Sequence, residues 1–174
     1  MARGNRGTFG PAVTVPQGTG WAEPTERSTT MRRRPETRRW PDRAAGRPRV
    51  VVEYEDDAVA YSIKKVLEAE GYDAAVCPGP RDLPAGHCPL AAGHECELAT
   101  GADVVVNGLD LALGANRAVL HALHERVPGL PVVVEVPLQR REHHADALEG
   151  ASELRFPMTR ETLVRAVRDA LTPG

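Results

Sequence analysis

The sequence predicts an α/β chain: a doubly wound sheet of five parallel strands in the order 2-1-3-4-5, preceded by a disordered N-terminal tail. Three observations predict it. Short, largely apolar segments recur at residues 50–52, 72–76, 104–106, 132–136 and 154–156. Segments of helical apolar period alternate with most of these runs. Runs of three to five apolar residues suit strands covered on both faces, and joining such strands in parallel takes a right-handed crossover, usually a helix, for each.

The first unit is a strand at 50–52, then Glu55-Asp56-Asp57, then a helix whose stripe is Val59, Ile63, Val66 and Leu67. Asp56 or Asp57 is suited to cap that helix, and Gly71 to stop it. The second strand, 72–76, leaves Cys77 at its carboxyl end. From 78 to 101 no helix or strand period is evident, and Pro78, Pro80, Pro84 and Pro89 disfavour regular structure, so this is read as an insertion. The third strand runs into Asn107-Gly108, a turn-forming pair. A helix follows through Ala115, Val119, Leu120, Leu123 and Val127, with Pro128-Gly129 as its stop. After the fourth strand and Pro137, residues 138–149 predict a weakly amphipathic helix. The fifth strand ends before Pro157, and Thr159 caps a last helix with Leu163, Val164, Val167 and Leu171 as its stripe.

Charge divides the chain. The formal net charge of -2 combines residues 1–49, with eleven Arg against four acids, and residues 50–174, with eleven Lys or Arg against twenty acids. Residues 1–48 are rich in Arg, Pro and Gly and lack a sustained apolar period, so they are expected to be disordered. Arg32, Arg33, Arg34, Arg38, Arg39, Arg43, Arg47 and Arg49 cluster around Trp40, a composition that suits phosphate backbones, acidic proteins or anionic lipid. A solubilising linker is the plainer reading. Met31 opens a shorter frame, so residues 1–30 are also read as a candidate over-extended start. No window reaches the roughly 18 apolar residues of a membrane span, and no leader pattern is seen, so a cytoplasmic protein is expected.

With the order 2-1-3-4-5, ligands bind beyond the carboxyl ends of strands one and three. That gathers Glu55, Asp56, Asp57, Asn107, Gly108 and Asp110 around one crevice.

Several segments carry a resemblance. Arg49 to Val52 with Glu55-Asp56, the run Val66-Leu67-Glu68-Ala69-Glu70-Gly71-Tyr72, the strand Asp103 to Val106, the run Gly129 to Val134 and the helix from Thr159 to Leu171 are together similar to the receiver domain of two-component response regulators. The resemblance covers Arg49 to Leu171 apart from the insertion and implies a flavodoxin-like fold. In that family it implies an acidic pair holding a divalent cation, an Asp that accepts a phosphoryl group, a Ser or Thr ending the fourth strand, and a Lys before Pro after the fifth. Here Tyr54-Glu55 stands at the acidic pair, and the acceptor position falls on Asn107 or Gly108. Val136-Pro137 ends the fourth strand, and Phe156 precedes Pro157. Losing acceptor, cation ligand and Lys together removes the positioned charge on which phosphoryl transfer depends. A degenerate receiver is expected. Glu55, Asp56, Asp57 and Asp110 are read as a vestigial acidic pocket that still attracts a cation, with helix capping an equal explanation for the triplet.

All three Cys lie between 77 and 96. Cys77, Cys88 and Cys96 with His94, or with His87 as the alternative, match the donor set of a tetrahedral zinc site, and a long irregular insertion gains order from a metal. The spacing lacks a Cys-x2-Cys knuckle. A Cys88–Cys96 disulfide, an iron-sulfur or redox role, and small core residues are the competing readings. His121 and His124 are read as a solvated helix face.

These features predict a signalling module that acts by protein association without phosphorylation, through a face containing Arg140, Arg141, His143, His144 and Phe156. A zinc or redox sensor is the alternative, and weak nucleic-acid binding through the tail a second one. No Gly-x-Gly-x-x-Gly, Gly-x4-Gly-Lys or Gly-x-Ser-x-Gly motif is present, and no His or Asp arrangement has catalytic spacing, so an enzyme is not expected.

Overall fold

The chain's computed structural model describes residue 40, residues 46–80 and residues 88–172. Most of the expected tail, and His87 with it, lies outside the described residues. The described elements run β1 (Arg49–Glu53), α1 (Asp57–Ala69), β2 (Asp73–Cys77), α2 (Glu97–Thr100), β3 (Val104–Asn107), α3 (Gly114–Arg126), β4 (Val132–Val136), β5 (Ser152–Arg155) and α4 (Arg160–Leu171). All five strands are parallel, in the order β2-β1-β3-β4-β5.

Side-chain alternation along the strands builds two cores. Val50, Val52 and Tyr54 of the first strand segment, Val104 and Val106 of β3, Val133 of β4 and Leu154 of β5 face the layer made by α1 and α4. Ala60, Ile63 and Leu67 of α1, with Leu163 and Val167 of α4, complete it. On the other face Val51, Val105, Val132 and Val134 meet Val119, Leu120 and Leu123 of α3, with Cys88, Leu90, Leu98 and Leu148. Fully burying each such Val or Leu stabilises the fold by about 1.5–3 kcal/mol against leaving it exposed.

Helix ends follow the sequence. Asp56 caps α1, its Oδ1 accepting from the N–H groups of Ala58 at 2.8 Å and Val59 at 3.0 Å. Thr159 caps α4 in a reciprocal box with Thr162. Gly71, at φ +91, turns the chain out of α1.

Three expectations are corrected. Residues 138–149 do not form a helix; two 3-10 turns, Leu138–Arg140 and Glu142–His144, stand there. The apolar spacing explains this, since Leu138 is exposed while Ala147 and Leu148 are buried, so no single helical stripe unites them. The fifth strand ends at Arg155, one residue earlier than expected, leaving Phe156 beyond the sheet and 59% exposed. Within the insertion, the short helix α2 forms after Cys96, and its Leu98 and Ala99 bury against the α3-side core.

Trp40 packs against that same core at the amino end of the sheet. Its indole N–H donates to the Leu98 carbonyl at 2.9 Å, and the Arg49 guanidinium lies 5.1 Å from its ring centroid. Gly101 makes room for it: a Cβ there would sit 2.6 Å from the Trp40 ring.

Candidate functional site

The carboxyl ends of β1, β3, β4 and β5 surround one crevice of about 820 Å³. Tyr54 leaves β1 on the α1/α4 side and is buried across this end of the sheet. Its ring lies on Gly108, where an added Cβ would be 2.1 Å from Cε1 and 2.2 Å from Cζ of the phenol. The hydroxyl donates to Glu135 Oε2 of β4 at 2.9 Å. Burial, then the Glu135 carboxylate beside it, holds the phenol well above its ordinary range, so it stays a neutral donor.

Alternation decides which of Asn107 and Gly108 belongs to the crevice. Asn107 points to the α3 side, fully buried, and its Nδ2 donates to Glu53 Oε2 at 2.7 Å. That leaves Gly108 in the crevice wall, its N–H donating to the Glu53 carbonyl at 2.8 Å. Glu53 is 3% exposed, and burial pushes its carboxyl up to about 7, only partly offset by the Asn107 bond.

Of the predicted acidic pocket, Glu55, Asp56 and Asp110 line the crevice. Asp57 is not among the lining residues; it begins α1, where its charge favours the helix terminus. Buried Asn116 of α3 ties two of the acidic segments together, its Nδ2 donating to Glu55 Oε1 at 2.6 Å and to the Asp110 carbonyl at 2.9 Å. Arg140 also lines the crevice and pairs with Asp110 at 3.2 Å. Arg141 turns instead to Glu153 of β5, with Nε 2.7 Å from Oε2. Phe156 lines the crevice mouth, and His144 is 9% exposed within its wall.

The thiols share a core rather than a ligand shell. Cys88 is buried in the α3-side core, with Cys77 and Cys96 packed against it, and none is in a disulfide. Burial, reinforced by Glu53, pushes the Cys77 thiol up to about 12, and burial likewise raises Cys88. Among the described residues, no three His, Cys, Asp or Glu side chains gather to hold a metal ion. Among the described residues neither Cys77, Cys88, His94 and Cys96 nor the crevice acids form such a group, and the alternative set with His87 lies outside them.

Four site residues escaped the sequence reading: Glu53, Glu135, Asn116 and the crevice-lining role of His144. The signal for two of them was present. An acid inside Val50-Val51-Val52-Glu53, and another inside Val132-Val133-Val134-Glu135-Val136, interrupts runs that bury both faces, where a carboxylate needs a partner.

No protein-family model matches the chain, and no curated protein matches it. Solved structures do. A response regulator receiver domain protein from Clostridium thermocellum aligns at 18% identity and TM-score 0.56, covering 71% of this chain and 94% of that one. A CheY-like response regulator receiver domain protein from Methanospirillum hungatei aligns at 19% and 0.54, covering 72% and 94%. A structure described as adenylate cyclase from Rhodopirellula baltica aligns at 11% and 0.54, covering 72% and 87%. At these identities the likeness shows the fold.

Proposed function

We propose that this chain, which has the response-regulator receiver fold, is a signalling module that acts by protein association without being phosphorylated. One observation carries the reading: Tyr54 lies on Gly108 so closely that no side chain fits at the acceptor position. Gly108 has no group to esterify, and the ring that covers it is fixed by Glu135. Phosphoryl transfer needs a placed oxygen nucleophile and positioned cations around three charged oxygens, and at Gly108 there is no nucleophile and the Tyr54 ring fills the space beside it.

Output by association is supported by the surface beside the crevice. Leu138 is 56% exposed and Phe156 59%, with Arg140 and Arg141 between β4 and β5. An aromatic and an aliphatic side chain flanked by guanidinium groups is the composition of a protein-binding patch. Quantitative affinity capture tests it, comparing the wild type with Leu138→Ala/Phe156→Ala and with Tyr61→Ala, an exposed residue of α1. Partners lost at least about tenfold in the double variant, retained in Tyr61→Ala and indifferent to acetyl phosphate with magnesium are expected. Capture that rises with acetyl phosphate, or that ignores the double variant, would contradict the reading.

A further inference from the structure

We propose that the described part of the insertion, residues 88–101, is a proton-dependent cover that closes the α3 side of the sheet while the Glu53 carboxyl is protonated and lifts when it ionises. Glu53 follows Val51 on the α3 face of β1, where alternation aims both into the core. It is 3% exposed, and its one side-chain partner among the described residues is the neutral Asn107 amide at 2.7 Å. Everything else that faces it is uncharged too. Cys77 of β2 stands beside it in register, and Cys88 of the insertion lies close enough to feel its charge. On α3 the buried Asn116 turns to Glu55 and Asp110, and no described Lys, Arg or His pairs with Glu53. A carboxylate without a cation is costly in such a place, so the closed core favours the protonated form.

Which wall gives way follows from how each is held. β2 and β3 flank Glu53 within the sheet, each hydrogen-bonded to β1 residue by residue. The insertion has no strand among its described residues, and its regular structure there is the four-residue α2. Cys88, Leu90, Leu98 and Ala99 dock it on the core, with the Trp40 indole on the Leu98 carbonyl. A segment held by a few apolar contacts opens at lower free energy than central strands do. Lifting it admits water to Glu53 and leaves the sheet ladder intact. The closed form remains the larger population at neutral pH. The open form presents Cys88, Leu90 and Leu98 together with the core face they covered. Glu53 is not among the crevice residues, so the cover works whether or not the crevice is phosphorylated.

The sign is definite. Burial pushes the Glu53 carboxyl from 4.5 up to about 7 in the closed form, so closure holds a proton that opening releases. Closure is therefore favoured most below about 4.5 and weakens as pH rises through about 7.

The test is native-state hydrogen exchange of the full chain, read by ¹⁵N–¹H NMR from about pH 5 to about pH 7.5 and corrected for the intrinsic pH dependence of amide exchange. The reporters are the amides of Ala92, Thr100 and Gly101, hydrogen-bonded inside the insertion, with Val105 of β3 for the sheet and Leu163 of α4 as a helix remote from Glu53. The insertion amides should be at least about tenfold less protected than Val105, and their protection should fall at least about tenfold over that range. Glu53→Gln and Glu53→Val should each reduce the fall to less than about twofold, to the level of Leu163 in the wild type. Insertion amides whose protection is flat with pH, or equal to that of Val105, would overturn the proposal. So would a fall that persists in a folded Glu53 variant. The wild-type outcomes decide it even where a variant does not fold.

Discussion

The Tyr54 hydroxyl donates to Glu135 Oε2 at 2.9 Å, tying the residue after β1 to β4 across the end of β3. The bond fixes the ring on Gly108 and gives the acid in β4 a partner. The phenol at 54 thus covers Gly108, and the acid at 135 holds the phenol there.

Gly108→Ala is expected to destabilise the protein by about 3 kcal/mol, because its Cβ must displace an aromatic ring in a packed core. In a Tyr54→Ala background the same change should cost less than about 1 kcal/mol. Denaturant unfolding of the four proteins in this double-mutant cycle measures the coupling; additive effects would mean that ring and glycine do not touch.

Glu53 gives stability a pH dependence of definite sign. Its carboxyl is raised from 4.5 to about 7 in the folded protein, so between those values the folded state holds more protons than the unfolded one. Its contribution is favourable below about 4.5 and is lost as pH rises through 7, a change of about 3 kcal/mol. Glu53→Gln, which keeps an acceptor for Asn107, should remove that slope. The difference between the two stability–pH curves isolates it from the other carboxylates, and parallel curves would contradict the assignment.

Half-buried Cys77 and buried Cys88, both held protonated at neutral pH, should resist iodoacetamide in the folded protein and react on unfolding. Mass mapping of alkylated peptides before and after denaturant checks this. Rapid native labelling of Cys77 would show that the core around Glu53 opens.

Trp40→Ala should cost about 2 kcal/mol, since it removes a half-buried indole, its hydrogen bond to Leu98 and the stacking of Arg49. Trp40→Phe should recover part of that loss. Thermal unfolding of the two variants measures it, and unchanged stability in Trp40→Ala would mean that the indole is not docked.

The sheet order, four strands and the caps at Asp56 and Thr159 were legible because they depend on local apolar period and on side chains acting a few residues away. The segment after β4 was not, because Leu138 and Leu148 look alike in sequence while only the latter reaches the core. Asn107 and Gly108 were indistinguishable as crevice residues until strand alternation sent Asn107 to Glu53 on the opposite face. The Tyr54–Glu135 bond spans 81 positions, and no local pattern encodes it. Trp40 sits in an Arg-rich segment whose composition hides its docking on α2.

Intact-mass spectrometry after incubation with acetyl phosphate and magnesium tests the central claim most directly. The wild-type chain should show no added phosphoryl group at any time, because Tyr54 covers Gly108, which carries no side chain. A stoichiometric, hydroxylamine-sensitive phosphoryl adduct, mapped to Asp56 or Asp110, would contradict it.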